Sequence, residues 1–138
     1  EKGEREFKLG KGIVLADGKD VTIVASGIMV AAAMEARGIL ADKGIDAAVI
    51  NVHTIKPIDR DAVVKYSKDK KRIFTVEEHS VIGGLGSAVA EVLSEKAPTK
   101  MLKIGVNDTF GESGPAVALI KKYGLDAESI YKKVKEFV

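Results

Sequence analysis

Short aliphatic runs alternate with longer helix-period stretches along this chain, a rhythm that few folds can satisfy. The runs are Gly12–Ala16 (GIVLA), Val21–Ala25 (VTIVA), Asp46–His53 (DAAVINVH), Arg72–Val76 (RIFTV) and Met101–Val106 (MLKIGV). They are too short to be helices and rich in Val and Ile, so they read as strands buried on both faces. Gly27 to Lys43 reads as a helix, with Ile28, Met34, Ile39 and Leu40 available for burial, Ser26 as its cap and Gly44 as its stop. Asp59 is a natural cap for a second helix reaching about Lys70. A third runs from the Gly83–Gly86 turn to Lys96, with Val89, Val92 and Leu93 on one face. Gly114-Pro115 opens another, since proline costs nothing in a first turn. The last follows Asp126 and spaces Ile130, Val134 and Phe137 helically.

Strands alternating with helices through short connections predict a parallel sheet covered on both faces, an α/β three-layer α/β/α sandwich of about five strands. Asp17-Gly18 between the first two runs is a tight-turn signal. It predicts a hairpin there, and hence a mixed sheet with one antiparallel edge strand. Residues 1–11 are expected to be a linker segment and 12–138 a single domain. Aromatics are only 5% with no Trp, so the core must come from Ile, Val, Leu and Ala.

The chain carries 22 basic and 20 acidic residues, a net +2 with the signs interspersed. Its largest basic cluster is Lys68-Asp69-Lys70-Lys71-Arg72. Nucleic-acid binding would want a larger excess and an aromatic or groove-entering element, so the cluster reads as a solvated helix end facing the negative pole of the helix dipole. The absence of cysteine excludes disulfides, thiolate zinc sites and cysteine nucleophiles. No apolar run has the length of a membrane span and the first residues lack a signal-peptide core, so the expected address is cytoplasmic. The first residue is Glu, which points to a domain cut from a longer chain or a processed product.

Three loops carry groups with chemical potential. Gly83-Gly84-Leu85-Gly86-Ser87 follows a strand and opens a helix, the setting in which backbone N–H groups hold an anion. It is neither GxGxxG nor a Walker loop, and a tight turn packing helix on strand explains it as well. Glu78 and His79, with Glu77 and Ser80, lie at a strand's carboxyl end, where a carboxylate beside an imidazole can do acid–base work. The alternatives are a loop brace or subunit contact, or a metal site completed by His53. Phe110-Gly111-Glu112-Ser113-Gly114 resembles half of a nucleophile elbow, but its glycines do not bracket Ser113 as GxSxG requires.

Four stretches together resemble the C-terminal domain of transketolases over about Phe7 to Val138: Leu9–Gly27 (LGKGIVLADGKDVTIVASG), His53–Asp59 (HTIKPID), Thr75–Glu91 (TVEEHSVIGGLGSAVAE) and Gly105–Gly114 (GVNDTFGESG). Deoxyxylulose-phosphate synthases and the β subunits of 2-oxo acid dehydrogenases share the domain. The first usually differ at the FGESG segment, and the second diverge at Glu-Glu-His and the final segments. The EEHS and FGESG pair therefore favours transketolase itself. The resemblance implies a parent enzyme, a homodimer of the pentose phosphate pathway, that moves a two-carbon ketol unit between sugar phosphates. Two other domains of that enzyme hold thiamine diphosphate and Mg²⁺. This chain has no GDG motif, so the resemblance assigns it no catalytic, cofactor-binding or metal residue, and the isolated domain is expected to be inactive. What remains is a structural and dimer-contributing or regulatory role. The loops at Thr54 and Pro57, at Glu78, His79, Gly83, Gly84, Gly86 and Ser87, and at Phe110, Glu112 and Ser113 become candidate joints to other domains or a second subunit. An anion- or nucleotide-binding regulatory module using Gly83–Ser87 is the competing function.

Overall fold

The computed structural model describes residues 13–26, 29–52, 59–68, 70–80, 84–106 and 126–138, apart from the side chains of 78–80, 105 and 106. Five strands, β1 (Ile13–Ala16), β2 (Val21–Ala25), β3 (Ala47–Asn51), β4 (Arg72–Ser80) and β5 (Met101–Val106), form one sheet in the order β1-β3-β2-β4-β5. β1 runs antiparallel to β3, and the other pairings are parallel. The described helices are α1 (Met29–Asp42), α2 (Arg60–Ser67), α3 (Leu85–Lys96) and α4 (Ala127–Phe137).

The period-two alternation of the strands sorts side chains into two apolar layers. On one face Ile23, Val49, Phe74 and Val76 pack with Met29, Ala33, Ala36 and Leu40 of α1 and with Ile130 and Val134 of α4. On the other face Val24, Ile50 and Ile73 meet Val63 of α2 and Leu85, Val89 and Val92 of α3. Small residues on α1 let that helix lie close to the sheet, as the scarcity of aromatics requires. Gly44, at φ 82°, ends α1 in the left-handed conformation that a side chain resists. Asp59 and Asp126 cap α2 and α4 by accepting the N–H groups of Ala62 and Ser129.

Two expectations are corrected. The Asp17–Asp20 turn does not close a hairpin, because β3 lies between β1 and β2. The turn instead crosses the start of β3. Gly18 rests against the Ala47 backbone so closely that a Cβ would overlap it. Asp46 accepts the N–H of Lys19 through its side chain, while its own N–H goes to the Asp20 carboxylate. The antiparallel edge strand stands, with β3 as its partner. The second correction concerns β4, which does not stop at Val76 but runs on through Glu77-Glu78-His79 to Ser80. β2 accompanies it only to Val76. Beyond that point β5 alone does, across a bulge: β4 passes from Val76 to Ser80 while β5 passes only from Ile104 to Val106.

The connection from β2 goes through α1 to β3 on one side, and that from β4 goes through α3 to β5 on the other. The carboxyl ends of β2 and β4 are thus the switch point of the sheet, where open α/β folds place their functional groups.

Candidate functional site

At that switch point β4 directs Ile73, Thr75 and Glu77 toward α3, and Phe74 and Val76 toward α1 and α4. Glu77 is 1% exposed and would be a costly buried charge without donors. Its donors are the first N–H groups of α3. Leu85 N–H donates to Oε1 and Gly86 N–H to Oε2, each at 2.8 Å. A carboxylate at a helix N-terminus also meets the positive end of the helix dipole. The bidentate clasp thereby fixes α3 to the strand before it.

The glycines follow from the clasp. A Cβ on Gly84 would overlap the Glu77 carboxylate, with the carboxyl carbon at 2.9 Å. A Cβ on Gly86 would lie 2.8 Å from Lys103 Cγ and 3.0 Å from Thr75 Oγ1. The Lys103 ammonium reaches Ser87 Oγ at 3.3 Å, so β5 and α3 are bridged above the turn. Thr75 Oγ1 is buried here without a hydrogen-bond partner.

Of the residues singled out from the sequence, Gly84, Gly86 and Ser87 thus lie together around Glu77. Glu78 and His79 lie on β4, immediately beyond Glu77. Thr54, Pro57, Gly83, Phe110, Glu112, Ser113 and His53 lie outside the described residues. The sequence names Glu77 only as a neighbour of Glu78 and His79, although the alternation Ile73, Thr75, Glu77 signals an inward-facing carboxylate that needs donors nearby in the fold.

The diphosphate and metal that the resemblance implies for the parent enzyme find no place here. The helix N-terminus at the glycine turn, where a diphosphate would be cradled, is filled by the chain's own carboxylate. Among the described residues no group of three His, Asp or Glu side chains is placed to hold a metal ion. These residues do not fit the cofactor.

Residues 10–130 match the family model described as transketolase, C-terminal domain. The chain belongs to the transketolase C-terminal domain family. A Methanocaldococcus jannaschii protein named as a transketolase C-terminal section is 51% identical over 134 residues, covering 96% of this chain and 42% of its own length. One subunit of an apulose-4-phosphate transketolase from Phocaeicola vulgatus is 44% identical across 100% of this chain and 44% of its own. A 1-deoxy-D-xylulose-5-phosphate synthase of Pelotomaculum thermopropionicum is 42% identical over 93% of this chain but only 20% of the synthase. Among solved structures, a split-gene transketolase described as an inactive β4 tetramer superposes with a TM-score of 0.91 at 52% identity, covering 97% of this chain and 44% of that one. The chain therefore spans less than half the length of the relatives it matches. No helix among the described residues is long and apolar enough to cross a membrane.

Proposed function

We propose that this domain is the assembly module of a transketolase-type thiamine-diphosphate enzyme, joining the cofactor-binding domains or a second subunit and giving no group to the cofactor's chemistry. The parent activity is two-carbon ketol transfer between sugar phosphates, carried out by a cytoplasmic homodimer. The observation that carries the reading is the Glu77 clasp. The N–H groups that make a glycine turn an anion site are spent inside the domain, on holding α3 to β4. That geometry also argues against the regulatory anion at Gly83–Ser87. The names of the relatives, a section and a subunit of transketolases, support a part that works within a larger assembly. Deoxyxylulose-phosphate synthase is the other parent that the relatives allow.

The test is made on the whole enzyme. Thr54, Pro57, Phe110, Glu112 and Ser113 are changed to alanine together, and a second variant changes Glu78 and His79. Dimer dissociation is followed by sedimentation and ketol transfer by a coupled assay. The expected result is subunit affinity weakened at least about tenfold in one variant or both, with activity recovering as enzyme concentration forces assembly. Unchanged affinity and activity in both variants would sink the proposal. So would activity lost with the dimer intact, since that would place a catalytic group in this domain.

A further inference from the structure

The opposite end of the sheet, where β4 and β5 begin, holds charge that the assembly role does not use. The last turn of α2 and the segment after it bring Lys65, Lys68, Lys70 and Lys71 together. The end of α3 and the segment leading into β5 bring Lys96 and Lys100 to the same place. Two adjoining hollows result. One, of about 640 Å³, is lined by Lys65, Lys68 and Lys96, with Asp61 as its acid and Arg60 already paired with Glu95. The other, of about 550 Å³, is lined among the described residues by Lys68, Lys70, Lys71 and Lys100 with Pro98 and Thr99, and by no described acid. Lys68 belongs to both.

The sequence reads part of this cluster as a solvated helix end, and one or two cations would suffice for that. Six lysines drawn from two helices and two connecting segments are more than the ends of α2 and α3 require. None of the six forms an ion pair with a described carboxylate. Their summed charge exceeds the +2 of the whole chain, and Asp61 and Asp69, beside them in the sequence, offset only part of it. The hollows are shallow and open to solvent, and their volumes are within the range that small ligands occupy. No free aromatic platform for stacking bases stands among their described lining residues. The neighbouring Tyr66 ring already has the Lys65 and Lys70 ammonium groups at 5.5 and 5.7 Å from its centre.

We propose that this lysine-lined double hollow binds a small multivalent phosphate, one carrying two or more phosphoryl groups whose spaced negative charges engage both hollows through Lys68. The site is separate from the glycine turn, and its occupancy does not depend on the assembly role.

The experiment titrates the 138-residue chain with inorganic phosphate, pyrophosphate and tripolyphosphate at about 50 mM salt, read by calorimetry and by amide chemical shifts. Expected is saturable tripolyphosphate binding with Kd below about 1 mM, affinity that rises from phosphate to tripolyphosphate, and shifts centred on residues 68–71 and 97–100. The double variant K68Q/K71Q should weaken binding about fivefold or more, and K43Q, just past the end of α1 on the sheet's other face, should leave it unchanged. An unchanged circular dichroism spectrum of K68Q/K71Q ties its loss to the site and not to folding. Four outcomes overturn the proposal. They are absence of saturable binding, equal loss in K43Q, shifts confined to Leu85–Ser87, and tighter binding per charge by decaglutamate or a ten-nucleotide single strand. The third would restore the anion reading of the glycine turn, and the last would make the surface one for a macromolecule.

Discussion

Glu77 and Gly84 constrain each other. The carboxylate needs two donors to be buried, and it reaches them only because residue 84 has no side chain in its way. Replacing Glu77 by Gln turns one acceptor into a donor facing an N–H, which should cost about 1–3 kcal/mol in urea unfolding. Gly84→Ala should cost a similar ~1–3 kcal/mol, because the new methyl overlaps the carboxylate. The two effects share one cause and so cannot be additive. In an E77A background the cost of G84A should fall by ~1 kcal/mol or more. Strict additivity in that cycle would mean the glycine is needed for its backbone alone. The order Glu-Glu-His and the glycine pattern were both legible in the sequence. What joins them was not, because the bond between Glu77 and residues 85 and 86 exists only once β4 and α3 are in place.

Elements bounded by local chemistry were the most legible. Asp59, Asp126 and Gly44 mark helix ends through a side chain or a backbone conformation that acts within a few residues, and α2, α4 and the end of α1 lie where they indicate. The hairpin failed for a non-local reason. Asp-Gly favours a tight turn, but it does not say which strand occupies the space beside β1, and the bonds from Asp46 across to Lys19 and Asp20 decide that. The extent of β4 was hidden likewise, since a strand rich in Glu and His is held by β5 and not by its own propensity. α4 is the element on which a local signal should matter most for stability. It is a single amphipathic helix that covers α1 through Ile130 and Val134, and Asp126 starts it. Asp126→Ala should lower stability by about 1 kcal/mol in thermal unfolding, while the exposed Lys132→Ala stays within about 0.5 kcal/mol of the parent. Equal losses in the two would show that the cap contributes nothing.

At the scale of the molecule, one sheet has two chemically different ends: a clasped glycine turn at the strands' carboxyl ends and a lysine-rich surface at their amino ends. Both depend on a scaffold whose rigidity should not be uniform. β2 is buried along its whole length and paired on both sides, by β3 and β4. β1 is a four-residue strand paired among the described residues with β3 alone, and Val14 on it is exposed. Amides in β2 can reach solvent only when both apolar layers and both neighbouring strands come apart, which amounts to global unfolding. Those of β1 need only the loss of one pairing. Native-state hydrogen exchange at rising denaturant should therefore show β2 amides converging on the global unfolding free energy. β1 amides should open at a free energy lower by several kcal/mol, on the order of half the ~5–15 kcal/mol of a typical domain. A hairpin of β1 with β2 would instead have made the two strands exchange as one unit. Equal protection of β1 and β2 would thus contradict both this ranking and the sheet order from which it follows.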